Sequence, residues 1–233
     1  DASTGSYTLR EGVVNNSAVV GNVRPGTIKL KDINGDGIVD VNDNDIIGDA
    51  NPDFTGGFVL TAYAYGFDFS SAFNFSVGND VYNKIEFTTS NLNAQYRNLS
   101  TDMGEGKRWT NLNAETGQLI TDPEQLAAAN ANTTMWSPYM QNFVFSDWAV
   151  EDGSFLRLNT ITLGYTLPDE LMSRANISKL RFYVTGNNVF VLTNYSGLDP
   201  EVSTRRNTPL TPGVDYSPFP RSRQVVFGLN LNF

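Results

Sequence analysis

The run Arg223-Gln224-Val225-Val226-Phe227-Gly228-Leu229-Asn230-Leu231-Asn232-Phe233 restricts the possible folds of this chain more than any other stretch. Val225, Phe227, Leu229, Leu231 and Phe233 share one parity, and Gln224, Val226, Gly228, Asn230 and Asn232 share the other. A period of two places the sets on opposite faces of a strand. One face is apolar throughout; the other is mostly amide and glycine. The stretch from Phe67 to Val77 repeats the pattern, with Phe67, Phe69, Ser71, Phe73 and Phe75 set against Asp68, Ser70, Ala72, Asn74 and Ser76. A membrane wall uses such strands, because lipid solvates the apolar side and water wets the other.

Several chemistries are excluded by composition. The chain has no histidine and no cysteine, which removes Ser-His-Asp and Cys-His catalysis, histidine- or thiolate-held metals and disulfides. Its net charge is −9 and its 16 basic residues are scattered, so a phosphate backbone would repel it and nucleic-acid binding is not expected. No apolar run reaches the ~18 residues of a transmembrane helix. That test is blind to membrane strands, whose signal is only ~10 alternating residues each. The chain opens Asp1-Ala2-Ser3-Thr4 with no leader pattern, and the expectation is a piece of a longer polypeptide.

Residues 1–30 are polar, with turn signals at Asn15-Asn16 and Pro25-Gly26, and read as irregular loop or short edge strands. Strands are expected over Gly57–Tyr65 and Phe67–Val77, hinged at Gly66 as an antiparallel hairpin, then over Phe155–Leu167, Lys179–Leu192 and the terminal run. The apolar parity changes between Leu158 and Ile161, which predicts a bulge or an exit from the lipid band. Asp122-Pro123-Glu124-Gln125 reads as a helix start, with Asp122 as cap and Pro123 in the first turn. The expected organisation is 1–54 as a loop region carrying an acidic run, and 55–233 as barrel strands with long loops at 78–150 and 193–222. Short turns on one side and long loops on the other are the habit of outer-membrane barrels. Such a set of strands cannot close, since about eight are needed to do so. The fold class is therefore all-β, an antiparallel transmembrane β-barrel segment with long extracellular loops.

Several stretches, in order, resemble the carboxyl-terminal portion of SusC/RagA-type TonB-dependent transporters. They are Gly26–Gly37, Gly48–Phe54, Glu151-Asp152-Gly153-Ser154-Phe155-Leu156-Arg157-Leu158, Leu163–Pro168, Gly186-Asn187-Asn188-Val189-Phe190, Thr193–Glu201 and Phe227–Phe233. The resemblance implies a large plugged barrel in the outer membrane of a Gram-negative, Bacteroidota-type bacterium. It also implies import of oligosaccharides or peptides, a SusD-like lid lipoprotein as partner, and energy delivered through TonB. No plug and no TonB-contacting segment are found in this sequence, so those parts have no residues here. Phe233 matches the family's terminal aromatic, which the barrel-assembly machinery reads; it also serves simply as a final apolar strand residue.

Asp32-Ile33-Asn34-Gly35-Asp36-Gly37-Ile38-Val39-Asp40-Val41-Asn42-Asp43 has the spacing of an EF-hand-type calcium loop. The candidate ligands for Ca²⁺ are Asp32, Asn34, Asp36, the Ile38 carbonyl, Asp40 and Asp43, with Gly37 at the sharp turn. Position 12 is Asp43 rather than Glu, as in dockerin-like loops, and the flanks do not read as two helices. The same residues also suit a turn that closes through its own side-chain-to-backbone bonds, without a metal. Because the turn at Gly66 is short and hence periplasmic, this loop is expected outside the cell.

The carboxylate pairs Glu151/Asp152 and Asp199/Glu201 lack any sign of the spacing across a sugar that glycoside hydrolysis needs, and no enzyme is expected. Trp148 and Tyr195, close to strand ends, are expected in an interfacial girdle, whereas Trp109 and Trp136 are expected to pack within the long insertion or against a capping partner. Tyr139 and Tyr216 suit either girdle or sugar stacking. Arg205-Arg206 and Arg221/Arg223 are expected to meet loop carboxylates or lipid head groups. Substrate-binding residues are not assigned. By parity, Asp68, Ser70, Asn74, Tyr183, Thr185, Asn230 and Asn232 face the lumen, and outer-membrane lipid covers the other side. The rival architecture is a secreted, calcium-stabilised β-sandwich that binds glycans, in which the phenylalanine face would be buried against a second sheet.

Overall fold

The computed structural model describes residues 7–90, 96, 98–139, 144–173, 177–202 and 212–233. Two compact units are present, Asp1–Ile47 with Ile85–Ala149, and Gly48–Lys84 with Val150–Phe233. This grouping joins the long insertion to the amino-terminal loop region, so it cuts across the division at 54/55 expected from sequence.

The second unit holds the strands. In chain order these are β1 (Phe54–Ala64), β2 (Phe67–Val77), β3 (Asp80–Asn83), β4 (Val150–Asp152), β5 (Phe155–Thr166), β6 (Lys179–Thr193), β7 (Val214–Asp215) and β8 (Gln224–Asn232). The five long ones form one antiparallel sheet in the order β1-β2-β5-β6-β8. These are the five strands expected from alternation, with ends shifted by a few residues at most. The hairpin turn is Tyr65-Gly66, with φ of 51° and 83°. Positive φ at both central residues is the turn whose twist matches the flanking strands.

Register fixes the faces. Gly56, Phe58, Leu60 and Ala62 on β1 stand opposite Phe75, Phe73, Ser71 and Phe69 on β2. Those four in turn oppose Leu156, Leu158, Ile161 and Leu163 on β5. The row continues through Leu192, Phe190, Gly186 and Val184 on β6 to Val225 and Phe227 on β8. This side is apolar across the sheet apart from Ser71 and the glycines, and it is open on its outer strands: Phe227 is 81% exposed and Val225 66%. Among the described residues no second sheet lies across it, and each long strand makes its main contacts with its sheet neighbours. The sandwich architecture fails on that observation. Among the described residues no helix is long and apolar enough to cross a membrane, which says nothing of strands.

The parity change in β5 is a bulge. Leu158 and Thr160 pair with consecutive residues of β2, Phe73 and Ala72, leaving Asn159 extra. Across the same position β6 carries Asn188 and Val189 between Asn187 and Phe190. Asn188 sits at φ 51°, a left-handed conformation that asparagine tolerates better than most residues.

The three short strands form a second sheet, β4-β3-β7, with β3 antiparallel to β4 and parallel to β7. β3 and β7 fall inside stretches expected to be loop and β4 at the end of the long insertion, because two to four residues are too few to show a period. In the first unit the helix at Pro123–Ala129 starts as expected, with Asp122 Oδ1 accepting from Gln125 N at 2.8 Å. Residues 7–30 are irregular apart from a short helix at Ser17–Val20.

Candidate functional site

The candidate site is the polar face of the long sheet together with the ion network at its long-loop end. All seven residues assigned to the lumen by parity lie on this face. Asp68 pairs with Gly164, which pairs with Tyr183, which pairs with Gly228; Ser70, Thr162 and Thr185 form the next rung. The hydroxyls of Thr162 and Thr185 are 2.9 Å apart. Asn74 stands opposite Arg157, Asn230 opposite Arg181 and Asn232 opposite Lys179.

Near the short-turn end, Arg181 crosses from β6 to β2. Its Nε donates to Asp68 Oδ1 at 2.7 Å and its Nη2 to Oδ2 at 2.5 Å, a bidentate fork. Gly164 on β5 makes this possible, since a Cβ there would overlap both the carboxylate and the guanidinium. The Arg181 guanidinium also lies 4.9 Å from the Tyr183 ring centroid, and the Tyr183 ring occupies the space left by Gly228.

At the long-loop end stands Arg157, only 2% exposed. Its guanidinium donates to Asn188 Oδ1 at 2.6 Å and to Asp199 Oδ1, and its Nε is 3.2 Å from Glu201 Oε2. Arg221 closes the group, 2.9 Å from Glu201 and 3.7 Å from Asp199. Two cations and two anions alternate, which offsets the cost of burying the Arg157 charge. The network ties β5, the bulge of β6 and both ends of the loop after β6. Asp199 and Glu201 are thereby committed to arginines, and Arg221 meets loop carboxylates as expected. Arg205-Arg206 lies outside the described residues.

The small sheet is bound to the same loop. Glu151 accepts from Asn83 Nδ2, Ser196 Oγ and Ser196 N, each at 2.8 Å. Tyr195 Oη donates to Asp215 Oδ2 at 2.7 Å, and Ser217 N donates to Oδ1 at 2.7 Å. Asp215 is fully buried and Tyr195 is 5% exposed. Tyr195 therefore belongs to an interior hydrogen bond and not to the girdle expected from sequence; nearness to a strand end cannot tell these apart. Burial, with a smaller contribution from Tyr216, pushes the Tyr82 hydroxyl up to about 12.

In the first unit the ring of Trp109 covers Gly26, and Trp136 meets Trp148 edge-on with centroids 4.6 Å apart. Packing within the insertion or against a capping partner was expected for Trp109 and Trp136; Trp136 packs within the insertion, whereas Trp109 packs on Gly26 of the amino-terminal region. Trp148, expected in the girdle, is half-buried against Trp136. Tyr139 and Tyr216 are exposed.

The acidic loop lies in the first unit and closes on its own backbone. Asp32 accepts from Gly35 N and Gly37 N, Asp36 from Ile38 N and Asn34 Nδ2, and Asp40 from Asn42 N. Asp43 is buried and gathers three donors, Ile33 N at 2.8 Å, Asn34 N at 3.3 Å and Asp40 N at 2.8 Å. The bonds from Asp40 and Ile33 hold its carboxyl below the usual range, outweighing the opposing effect of burial. Among the described residues no three acidic side chains are placed to hold a metal ion. As arranged, the side chains of Asp32, Asn34, Asp36, Asp40 and Asp43 accept from nearby backbone N–H groups and make turns.

Arg157 and Arg181 carry the site, and spacing alone does not reveal their partners, which lie 42 and 113 residues away. The usable signal is a single cation at the polar parity of an otherwise apolar strand, as in Phe155-Leu156-Arg157-Leu158.

Comparison with known proteins places these features. No family model matches the chain. It is 36% identical over 213 residues to TonB-dependent receptor P39 of Formosa agariphila, covering 91% of this chain and 19% of that protein. TonB-dependent receptor P3 of the same organism is 31% identical, over 91% of this chain and 20% of the relative. TonB-dependent receptor SusC of Bacteroides thetaiotaomicron is 28% identical, over 91% of this chain and 18% of the relative. Among solved structures, the RagAB peptide transporter matches with a TM-score of 0.62 at 27% identity, over 81% of this chain and 18% of that one. The chain spans about a fifth of the length of the curated relatives it matches.

Proposed function

Because this chain belongs to the SusC/RagA-type TonB-dependent transporters, we propose that it builds wall, lumen lining and loops of an outer-membrane nutrient importer. The observation that carries this reading is the sheet with one largely apolar side, widely exposed on its outer strands β1 and β8, and one mostly polar side. In hydrocarbon every backbone polar group must be paired internally, which a sheet closed by further strands achieves. The cargo in this reading is an oligosaccharide or a peptide, held under a SusD-like lipoprotein lid and released through the barrel when TonB acts on the plug. The likeness to the RagAB peptide transporter supports the peptide class, and the oligosaccharide class rests on the resemblance read from the sequence. No catalysis belongs to the proposal: Glu151 is engaged by Asn83 and Ser196, and Asp199 and Glu201 are engaged by Arg157 and Arg221.

Extraction tests the placement. Cell envelopes washed with carbonate should retain the transporter, and detergent should release it. Release into plain buffer as a monodisperse species contradicts the proposal. Uptake by cells lacking the transporter, supplied with labelled oligosaccharide or peptide, then decides the cargo.

Calcium enters this reading on the loop spacing alone. Binding would require the side-chain oxygens of Asp32, Asn34, Asp36, Asp40 and Asp43 to turn from the backbone N–H groups toward the ion, with the Ile38 carbonyl as the backbone ligand. Calorimetric titration of the chelator-treated transporter with CaCl₂ tests it. Uptake of one ion that Asp36→Asn abolishes supports calcium, and an absence of binding heat dismisses it.

A further inference from the structure

We propose that the apolar side of the sheet carries a site for one anionic, phosphate-bearing membrane lipid, with an acyl chain over Gly186 and the phosphate on Arg223; this rests on that side facing lipid. Gly186 interrupts an otherwise filled row, standing opposite Ile161 on β5 and Val225 on β8. Its missing side chain leaves a groove of about 390 Å³, bounded by Ile161, Leu163, Val184, Val189 and Val225. Val189 reaches the rim through the β6 bulge, and a Cβ on Gly186 would stand 3.2 Å from its Cγ2 and 3.3 Å from Ile161 Cγ2. Asn187, Gln224 and Arg223 lie at its edge, and a hydrocarbon chain fits the aliphatic walls between.

The groove has a charged end. Arg223 lines it where β8 begins, with the same parity as Val225, and is exposed. Arg157, Arg181 and Arg221 each face a carboxylate, and among the described residues none is paired with Arg223. The backbone leading to it is fixed by the bulge, as Asn188 Nδ2 donates to Arg221 O at 3.0 Å. A guanidinium presented at the end of an apolar groove complements an anion joined to a hydrocarbon chain. Its planar fork matches phosphate oxygens bidentately, while its stem lies along the apolar wall. Phosphate oxygens attached to acyl chains meet both demands at once.

The test places the full transporter in nanodiscs of palmitoyl-oleoyl phosphatidylglycerol or of the zwitterionic phosphatidylcholine, and reads retained lipid by native mass spectrometry. The expected result is preferential retention of one phosphatidylglycerol. Arg223→Gln should lower it about fivefold, the worth of one basic residue at an anionic surface. Gly186→Leu should lower retention of both lipids by filling the groove. Equal retention of the two lipids by the wild type, or unchanged phosphatidylglycerol retention in Arg223→Gln, overturns the proposal. A transporter that cannot be incorporated and stays monodisperse without detergent removes the lipid-facing reading itself, which is a different failure.

Discussion

Arg181 on β6 grips Asp68 on β2 across an intervening strand, over Gly164. The pair has side chains only 19% and 23% exposed, so it is a cross-strand tie on the lumen wall rather than a loose surface contact. A glycine in mid-strand usually weakens a sheet. Here it is the space through which two non-adjacent strands are joined.

Removing either end of the tie leaves a half-buried charge without its partner. Asp68→Asn or Arg181→Gln should each destabilise the full transporter by about 1–3 kcal/mol, measured by guanidinium unfolding in detergent. The double variant should cost clearly less than the sum. Gly164→Val should displace the pair sterically and reproduce the loss while both charges remain. Full additivity would show that the two side chains do not interact.

Arg157 holds the loop after β6 to the wall. Arg157→Gln leaves Asp199 and Glu201 with Arg221 alone and should cost about 3–5 kcal/mol, the usual penalty for breaking a buried pair. Limited proteolysis should then cut within 193–222 much faster, with the strands intact. An unchanged cleavage rate contradicts the role of the network.

Asp43 gives the pH dependence of the acidic loop. Its folded-state pKa is depressed, so its contribution is complete above the unfolded value of about 3.9 and is lost as pH falls through the lower folded value. Amide exchange at Ile33, Asn34 and Asp40, corrected for intrinsic rates, should accelerate below about pH 4, and Asp43→Asn should show part of that acceleration at neutral pH. Protection of these amides that is flat through the acid range contradicts it.

Alternation made the long strands legible. A period of two along Phe67–Val77 and along the terminal run reads out both faces, and the change at Leu158–Ile161 announced the Asn159 bulge. The same rule placed Asp68, Tyr183 and Asn230 on the polar side. It could not say that Arg181 reaches Asp68, because parity gives a face and not a partner. Tyr195 was misjudged for a related reason: an aromatic near a strand end looks the same whether it meets lipid or a buried carboxylate such as Asp215. β3, β4 and β7 are held by contacts from distant segments, which no local pattern contains. Asn188 was visible only within Gly186-Asn187-Asn188-Val189-Phe190; its left-handed backbone and its bonds to Arg157 and Arg221 explain why an asparagine suits that place.

Spin labels placed singly along β8 of the full transporter in bilayers test the central claim most directly. Labels at Val225, Phe227, Leu229 and Leu231 should collide with oxygen dissolved in lipid. Labels at Val226, Asn230 and Asn232 should collide with a water-soluble nickel chelate, so that accessibility alternates with a period of two. Equal access on both parities, or the reverse assignment, would contradict a wall with hydrocarbon on one side and water on the other.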